Sequence, residues 1–591
     1  MSGRFGPRWV RGQGTTFRLW APAAAKVDLM VDGDASMAMP ASGNGWFEIT
    51  RPSAGPGTRY KFRIDGEVEV PDPASHFQPD DVNGPSENVD HDFDWQAREW
   101  RGRPWLEAVT LELHVGTFTP EGTYRAACSK LDHVTATGFT AIELMPVADF
   151  AGRRNWGYDG VLLFAPDSAY GRPDDLKALI DAAHQRGLMV FLDVVYNHFG
   201  PEGNYLARYA PQFFSRQHHT PWGAAIDYRV PEVRAFAVEN ALHWLDRYRF
   251  DGLRLDAVHA LAEPGEPSVL VDISRAVGAL AIRTGRHIHL VLENDDNRVS
   301  LLDPSADPPA GKYRAQWNDD YHHAWHVLLS GESHGYYRDY AGRAQAMIAR
   351  CLSEGFAYQG ETSAHRKGAR RGEPSRELPP AAFVNFIQNH DQIGNRALGE
   401  RLTALADEAA IDAALAVLLL APMPPLMFMG EEWGSARPFP FFCDFTGELA
   451  DAVRRGRRIE YAEAYADASL DVPDPLAEST FRSAVLDWPA CGTGAHRRRL
   501  DHVRDLLKVR REKIVPRLAH LAGGSAHASF AGDVLRASWR LGDGSTLRLL
   551  ANLSAREGET AASTYIVAPI WGGDPPAVLP PWSVYWSSGS G

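Results

Sequence analysis

At 591 residues the chain is too long for one ordinary domain and predicts roughly two to four. Its 44% hydrophobic and 23% charged content is that of a globular protein. A net charge of −14 argues against phosphate backbones and acidic membrane surfaces, so neither nucleic acid nor a membrane is an expected partner and a neutral ligand is.

The N-terminus, MSGRFGPRWVRGQG, lacks the apolar core of a signal peptide. Residues 1–100 carry short β-rich runs, TTFRLWAP, KVDLMVDG and TRYKFRIDG, punctuated by Gly and Pro. They predict a β-sandwich of immunoglobulin-like size. From residue 101 to about 520, apolar strand-like runs alternate with helical stretches. The runs are VTLELHVGTF (109–118), FTAIELMPV (139–147), LMVFLDVVYNH (188–198), FDGLRLDAVH (250–259), HIHLVLEND (287–295), YRAQWND (313–319), FVNFIQNHD (383–391) and PLMFMGEEW (425–433). Helices are predicted between them, as at 174–187 and 231–248. Eight strands with intervening helices predict a central (β/α)8 barrel, and their number favours a closed ring over a doubly wound sheet.

Within the barrel region, Ala413 to Gly430 is uncharged but split by three prolines, so it reads as a buried helix, a turn and a buried strand. The charged helix 496–513, HRRRLDHVRDLLKVRREK, reads as a solvated face. Residues 521–591 return to β character and predict a small C-terminal all-β domain. The four cysteines are widely spaced, without a CxxC pair. They fit reduced thiols in a cytoplasmic protein better than disulfides or a zinc site.

Functional groups in such barrels collect at the C-terminal ends of the strands. Here Asp193, Asn197 and His198 follow strand three, and Arg254, Asp256 and His259 sit on or after strand four. Glu293, Asn294 and Asp295 end strand five, and Asn389, His390 and Asp391 end strand seven. In FDGLRLDAVH, alternation turns Arg254 and Asp256 to one face and Leu253 and Leu255 to the other. An isolated Asp at a strand end is usually a cap or turn former; four strands behaving alike point to one shared pocket.

The segments DVVYNH, GLRLDAVH, the Glu ending HLVLEND, and NHD resemble, in order, the four sequence regions of the α-amylase superfamily of glycoside hydrolases. That resemblance implies Asp256 as nucleophile, Glu293 as general acid/base and Asp391 as transition-state stabiliser. It implies that Arg254, His198 and His390 hold the sugar and the nucleophile, that Tyr158 in NWGYDG stacks on the sugar, and that Asp193 and Asn197 support the site. Two carboxyl groups about 5–5.5 Å apart can protonate the leaving group and form a covalent intermediate with retention. Arg254 is expected to keep Asp256 charged, and repulsion from Asp256 and Asp391 to raise the Glu293 pKa. No metal or organic cofactor is expected, because carboxylates perform this chemistry.

Further stretches, including LELHVGTFTPEGTY (111–124), DPASHFQPDDVNGPSENVD (72–90) and FIQNHDQIGNRALGER (386–401), resemble the malto-oligosyltrehalose trehalohydrolase family. The implied substrate is maltooligosyltrehalose, cut at the α-1,4 bond beside its terminal trehalose, with malto-oligosyltrehalose synthase as pathway partner. Candidates to recognise the trehalose end are Trp317, Asn318 and Asp319 after strand six, Phe356, Tyr358 and Gln359 before strand seven, and Gln392. The run Glu293-Asn294-Asp295-Asp296-Asn297-Arg298 departs from the expected single acid followed by Asn-Arg. The competing readings are an α-glucan branching enzyme and a catalytically silent glucan-binding barrel.

Overall fold

The computed structural model describes residues 3–220, 223–261, 268–465, 472–559 and 568–590. All eight predicted barrel strands form: β1 (Thr110–Leu113), β2 (Ala141–Leu144), β3 (Met189–Val194), β4 (Gly252–Leu255), β5 (His289–Leu292), β6 (Ala315–Trp317), β7 (Phe383–Val384) and β8 (Leu426–Phe428). They are parallel, each beside its sequence neighbour from β1 to β7, and β8 returns to pair with β1. The last gap closes where Asn385 bridges Pro425 and Leu426 N–H donates to the Asn385 carbonyl at 2.9 Å. The doubly wound alternative is thereby excluded.

The barrel interior explains why the strands look apolar yet carry charge. Its lower layers hold Met189, Phe191, Val291, Ala315 and Trp317, one packed cluster. Two residues further along β3 and β5 the inward positions become Asp193, level with Arg254 on β4, and Glu293, two residues past the Val291 that pairs with Arg254. Gly252 makes room for this packing: a Cβ there would lie 2.4 Å from the His289 carbonyl oxygen and 2.7 Å from the Phe191 ring. Leu253 and Leu255 face the other way, into the main core.

Helices α1 (Pro173–Gln185) and α2 (Pro231–Leu242) occupy the predicted places, each with Pro in its first turn, where its missing N–H costs nothing. The connection from β3 to β4 also contains an unpredicted hairpin, Phe214–Thr220 with Gly223–Ile226. The uncharged run beginning at Ala413 forms most of α3 (Glu408–Leu420), a turn and β8, as expected. In α4 (Gly494–Val509) the solvated-face expectation holds for Arg497 and Arg498 but fails for Arg499 and, just past the helix, Arg510, both buried. Arg510 donates to the carbonyls of Leu419, Ala421 and Met423 at 3.0, 2.6 and 2.8 Å, satisfying acceptors left open at the end of α3.

Two antiparallel sheets form the N-terminal sandwich, one around Gly14–Trp20 and Trp46–Arg51, the other around Val27–Val31 and Arg59–Ile64. A five-stranded antiparallel sheet closes the chain. Its Trp539 and Trp586 rings stack, centroids 5.6 Å apart, and their indole N–H groups donate to Leu352 and Ala416 carbonyls of the barrel helices. All four cysteines are free thiols. Among the described residues no helix is long and apolar enough to cross a membrane.

Candidate active site

Parallel pairing puts Asp193 on β3 directly beside Arg254 on β4, so their side chains share the barrel interior. Arg254 is the hub. Its Nη1 donates to Asp193 Oδ2 at 2.7 Å and Asp256 Oδ1 at 2.8 Å, and its Nη2 forms an ion pair with Glu293 Oε2 at 2.9 Å. The guanidinium carbon lies 4.1 Å from the centroid of the Trp317 ring, which supports it from one side. Arg254 is 1% exposed, while Asp256 and Glu293 are 12% and 19% exposed: the cation is sealed and two of its carboxylates reach solvent. Ala257 sits in the left-handed region, with φ +40°, which is costly for a residue with a Cβ. That conformation aims its N–H at Glu293 Oε2, 2.7 Å away, tying the residue after Asp256 to the second carboxyl.

Electrostatics separate the carboxyl groups. Burial opposes the charge of Arg254, yet Asp193, Glu293 and Asp256 outweigh it and hold it protonated. Burial pushes Asp193 up to about 7, against the pull of Arg254. Glu293 is also raised. Burial is the leading cause and Arg254 the main opposing one, with Asp256 adding repulsion, so the expected primacy of repulsion is corrected. Asp391 is raised by burial, with His390 opposing and Glu293 reinforcing.

The surrounding residues orient this group. Tyr158 donates to Asp193 Oδ2 at 2.6 Å, and its ring stacks on His390 with centroids 5.0 Å apart. Asn197 donates to Asp256 Oδ2 at 3.1 Å and contacts His198 Nδ1, while His198 Nε2 meets the Tyr158 carbonyl oxygen at 2.9 Å. Asp391 lies in the first turn of a short helix whose N-cap, Asn389, accepts its N–H; Asn395 donates to its Oδ1 at 2.7 Å. Burial disfavours a charged His390, but its ion pair with Glu112 prevails and raises its pKa. Sequence reading passed over Glu112, although LELH carries its own signal, a carboxylate alternating with Leu111 and Leu113 on β1.

Two of the predicted sugar contacts are buried. Trp317 and Tyr358 are each 1% exposed and offer no open ring face. Trp317 lies against Arg254, and the Tyr358 hydroxyl is held by Arg343 and the Asp339 carbonyl. Gln392 is buried, its amide oxygen without a partner. Asp295 and Asp296 anchor a loop: Asp295 pairs with Arg366 and Arg371, and Asp296 with Arg366. Arg371 also pairs with buried Asp320. Burial raises the Asp319 pKa, with Glu293 and Asp295 reinforcing it.

A family model for the alpha amylase catalytic domain matches residues 94–222, one for carbohydrate-binding module 48 (isoamylase N-terminal domain) residues 4–76, and a domain of unknown function residues 522–586. A malto-oligosyltrehalose trehalohydrolase of Deinococcus radiodurans is 45% identical over 85% of this chain and 82% of its own length. The enzyme of the same name from Saccharolobus solfataricus is 39% identical over 84% and 85%. A crystal structure from Salmonella typhimurium, provisionally named an alpha amylase, superposes with a TM-score of 0.94 at 44% identity over the full length of both chains.

Proposed function

We infer the reaction from one premise: the chain belongs to the malto-oligosyltrehalose trehalohydrolase family of α-amylase-type glycoside hydrolases. It is a glycosidase that hydrolyses the α-1,4 bond next to the terminal trehalose of maltooligosyltrehalose, releasing trehalose and a shortened maltooligosaccharide. This reading is favoured over glucan branching and over a silent barrel, since family likeness spans most of the chain.

The observation that carries the mechanism is the sharing of Arg254 between Asp256 and Glu293. Both carboxylates pair with one guanidinium, at 2.8 and 2.9 Å, which supports the two-carboxyl arrangement that a retaining mechanism uses. Glu293, with its raised pKa, gives its proton to the glycosidic oxygen as the bond breaks, and trehalose leaves as an alcohol. Asp256 attacks the anomeric carbon and forms a glycosyl ester. Ionised Glu293 then removes a proton from water, which displaces Asp256 and regenerates the acid. Asp391 stabilises the oxocarbenium-like transition state, and Tyr158 and His390 position the ring. The substrate is of the kind a malto-oligosyltrehalose synthase supplies, and the free thiols suit the cytoplasm.

Incubation with maltopentaosyl trehalose and, separately, with a plain maltooligosaccharide of similar length tests this reading. Rapid trehalose release from the first with slow cutting of the second is expected. Equal cutting, or branched products, would overturn the named substrate.

A further inference from the structure

Away from the cleft, three histidines from separate segments meet. His76 and His91 belong to the stretch that follows the N-terminal sandwich. His243 lies just past α2, where the helix widens into a π-helical turn, His243–Arg247. Such turns break the regular ladder and are frequent at functional sites. One ring nitrogen from each histidine lies within 4.8 Å of the others, a geometry found for no other three candidate ligands among the described residues. His91 Nε2 and His76 Nδ1 approach to 3.0 Å, and the His76 and His243 rings stack 4.9 Å apart.

His91 Nδ1 and His243 Nε2 are buried without a hydrogen-bond partner. Burial lowers all three pKa values, that of His76 to about 3, and nearby Lys177 and Arg247 lower them further. Asp174, 3.2 Å from the Lys177 ammonium, offsets part of the neighbouring positive charge.

We propose that His76, His91 and His243 form a structural site for a zinc-class divalent ion that clips the post-sandwich segment to the barrel. Three imidazole donors without a carboxylate favour Zn²⁺ or Co²⁺ over Ca²⁺ or Mg²⁺, and water completes a tetrahedron.

Untagged full-length protein, stripped with chelator, is dialysed against Zn²⁺ or Co²⁺, gel-filtered and assayed for metal content. The proposal expects one retained ion per chain, the visible bands of tetrahedral Co²⁺ and a metal-dependent rise in the thermal midpoint. His91→Ala, at a partly exposed position, should lose all three while oligosaccharide cleavage is unchanged, and His243→Asn should behave likewise. Absence of a retained ion in the wild type, or retention undiminished in both variants, would overturn the site.

Discussion

Arg254→Met isolates the charge of the site from its packing. Methionine can still fill space against the Trp317 ring, 4.1 Å from the guanidinium, but the cation bound to Asp193, Asp256 and Glu293 at 2.7, 2.8 and 2.9 Å is gone. Removing one partner of a buried ion pair costs about 3–5 kcal/mol. Asp193, at 2% exposure, bears the full cost, and the other two carboxylates recover part of theirs from water. For a cooperative barrel of roughly 400 residues this is a fall of about 4–6 °C in thermal midpoint.

The deficit must depend on pH. Arg254 holds down the pKa values of Asp193 and Glu293, so without it both rise further above their unfolded values. A carboxyl with a raised folded pKa contributes stability below its unfolded pKa of about 4 and loses that contribution as pH rises through the folded value. Thermal unfolding followed by tryptophan fluorescence should therefore show a small deficit at about pH 4, the unfolded carboxyl value, and a large one at about pH 8, above the Asp193 value of about 7. Equal deficits at both pH values would mean that Arg254 matters only as packing, and would refute the charge argument.

Glu293→Gln should slow hydrolysis by about 10²–10⁴-fold. In the wild type the protonated acid is the active form and burial raises its pKa, so the alkaline limb of kcat/KM lies above the ordinary carboxylate range. That limb should vanish in the variant, and its persistence would give the role to another group. Tyr158→Phe removes the 2.6 Å hydrogen bond to Asp193 but keeps the stack on His390, so denaturant titration should show a loss of about 1 kcal/mol; an unchanged midpoint would contradict that bond. Ala257→Val places a β-branched residue at φ +40° and should misaim the N–H held by Glu293. Ala257→Gly relaxes the same position and should keep the rate, so equal kinetics for the two variants would remove the role given to that backbone conformation.

The barrel was legible because each strand is a short apolar run bounded by turn residues, with its polar side chains gathered at one end. Arg254 and Asp256 were legible for the same reason: a period of two places them together inside the ring. Their partners were harder to read. Arg366 and Arg371 reach Asp295 from a loop without periodicity, and no local pattern announces such a pairing. Aromatic residue type does not report exposure, so Trp317 and Tyr358 looked like sugar platforms although one backs Arg254 and the other anchors a loop. Arg510 looked solvated because a charge run usually is, but the open carbonyls ending α3 supply acceptors that only the folded arrangement brings within reach.

The central claim is that Asp256 attacks the sugar while Glu293 supplies and recovers the proton. Mass spectrometry of Glu293→Gln after reaction with α-maltosyl fluoride tests it most directly. Fluoride departs without an acid, while release of the ester needs the base that the variant lacks, so a glycosyl-enzyme should accumulate. The account predicts a maltosyl adduct on the peptide containing FDGLRLDAVH, at Asp256. An adduct on another carboxylate, or fluoride release without any adduct and with inversion at the anomeric carbon, would contradict it.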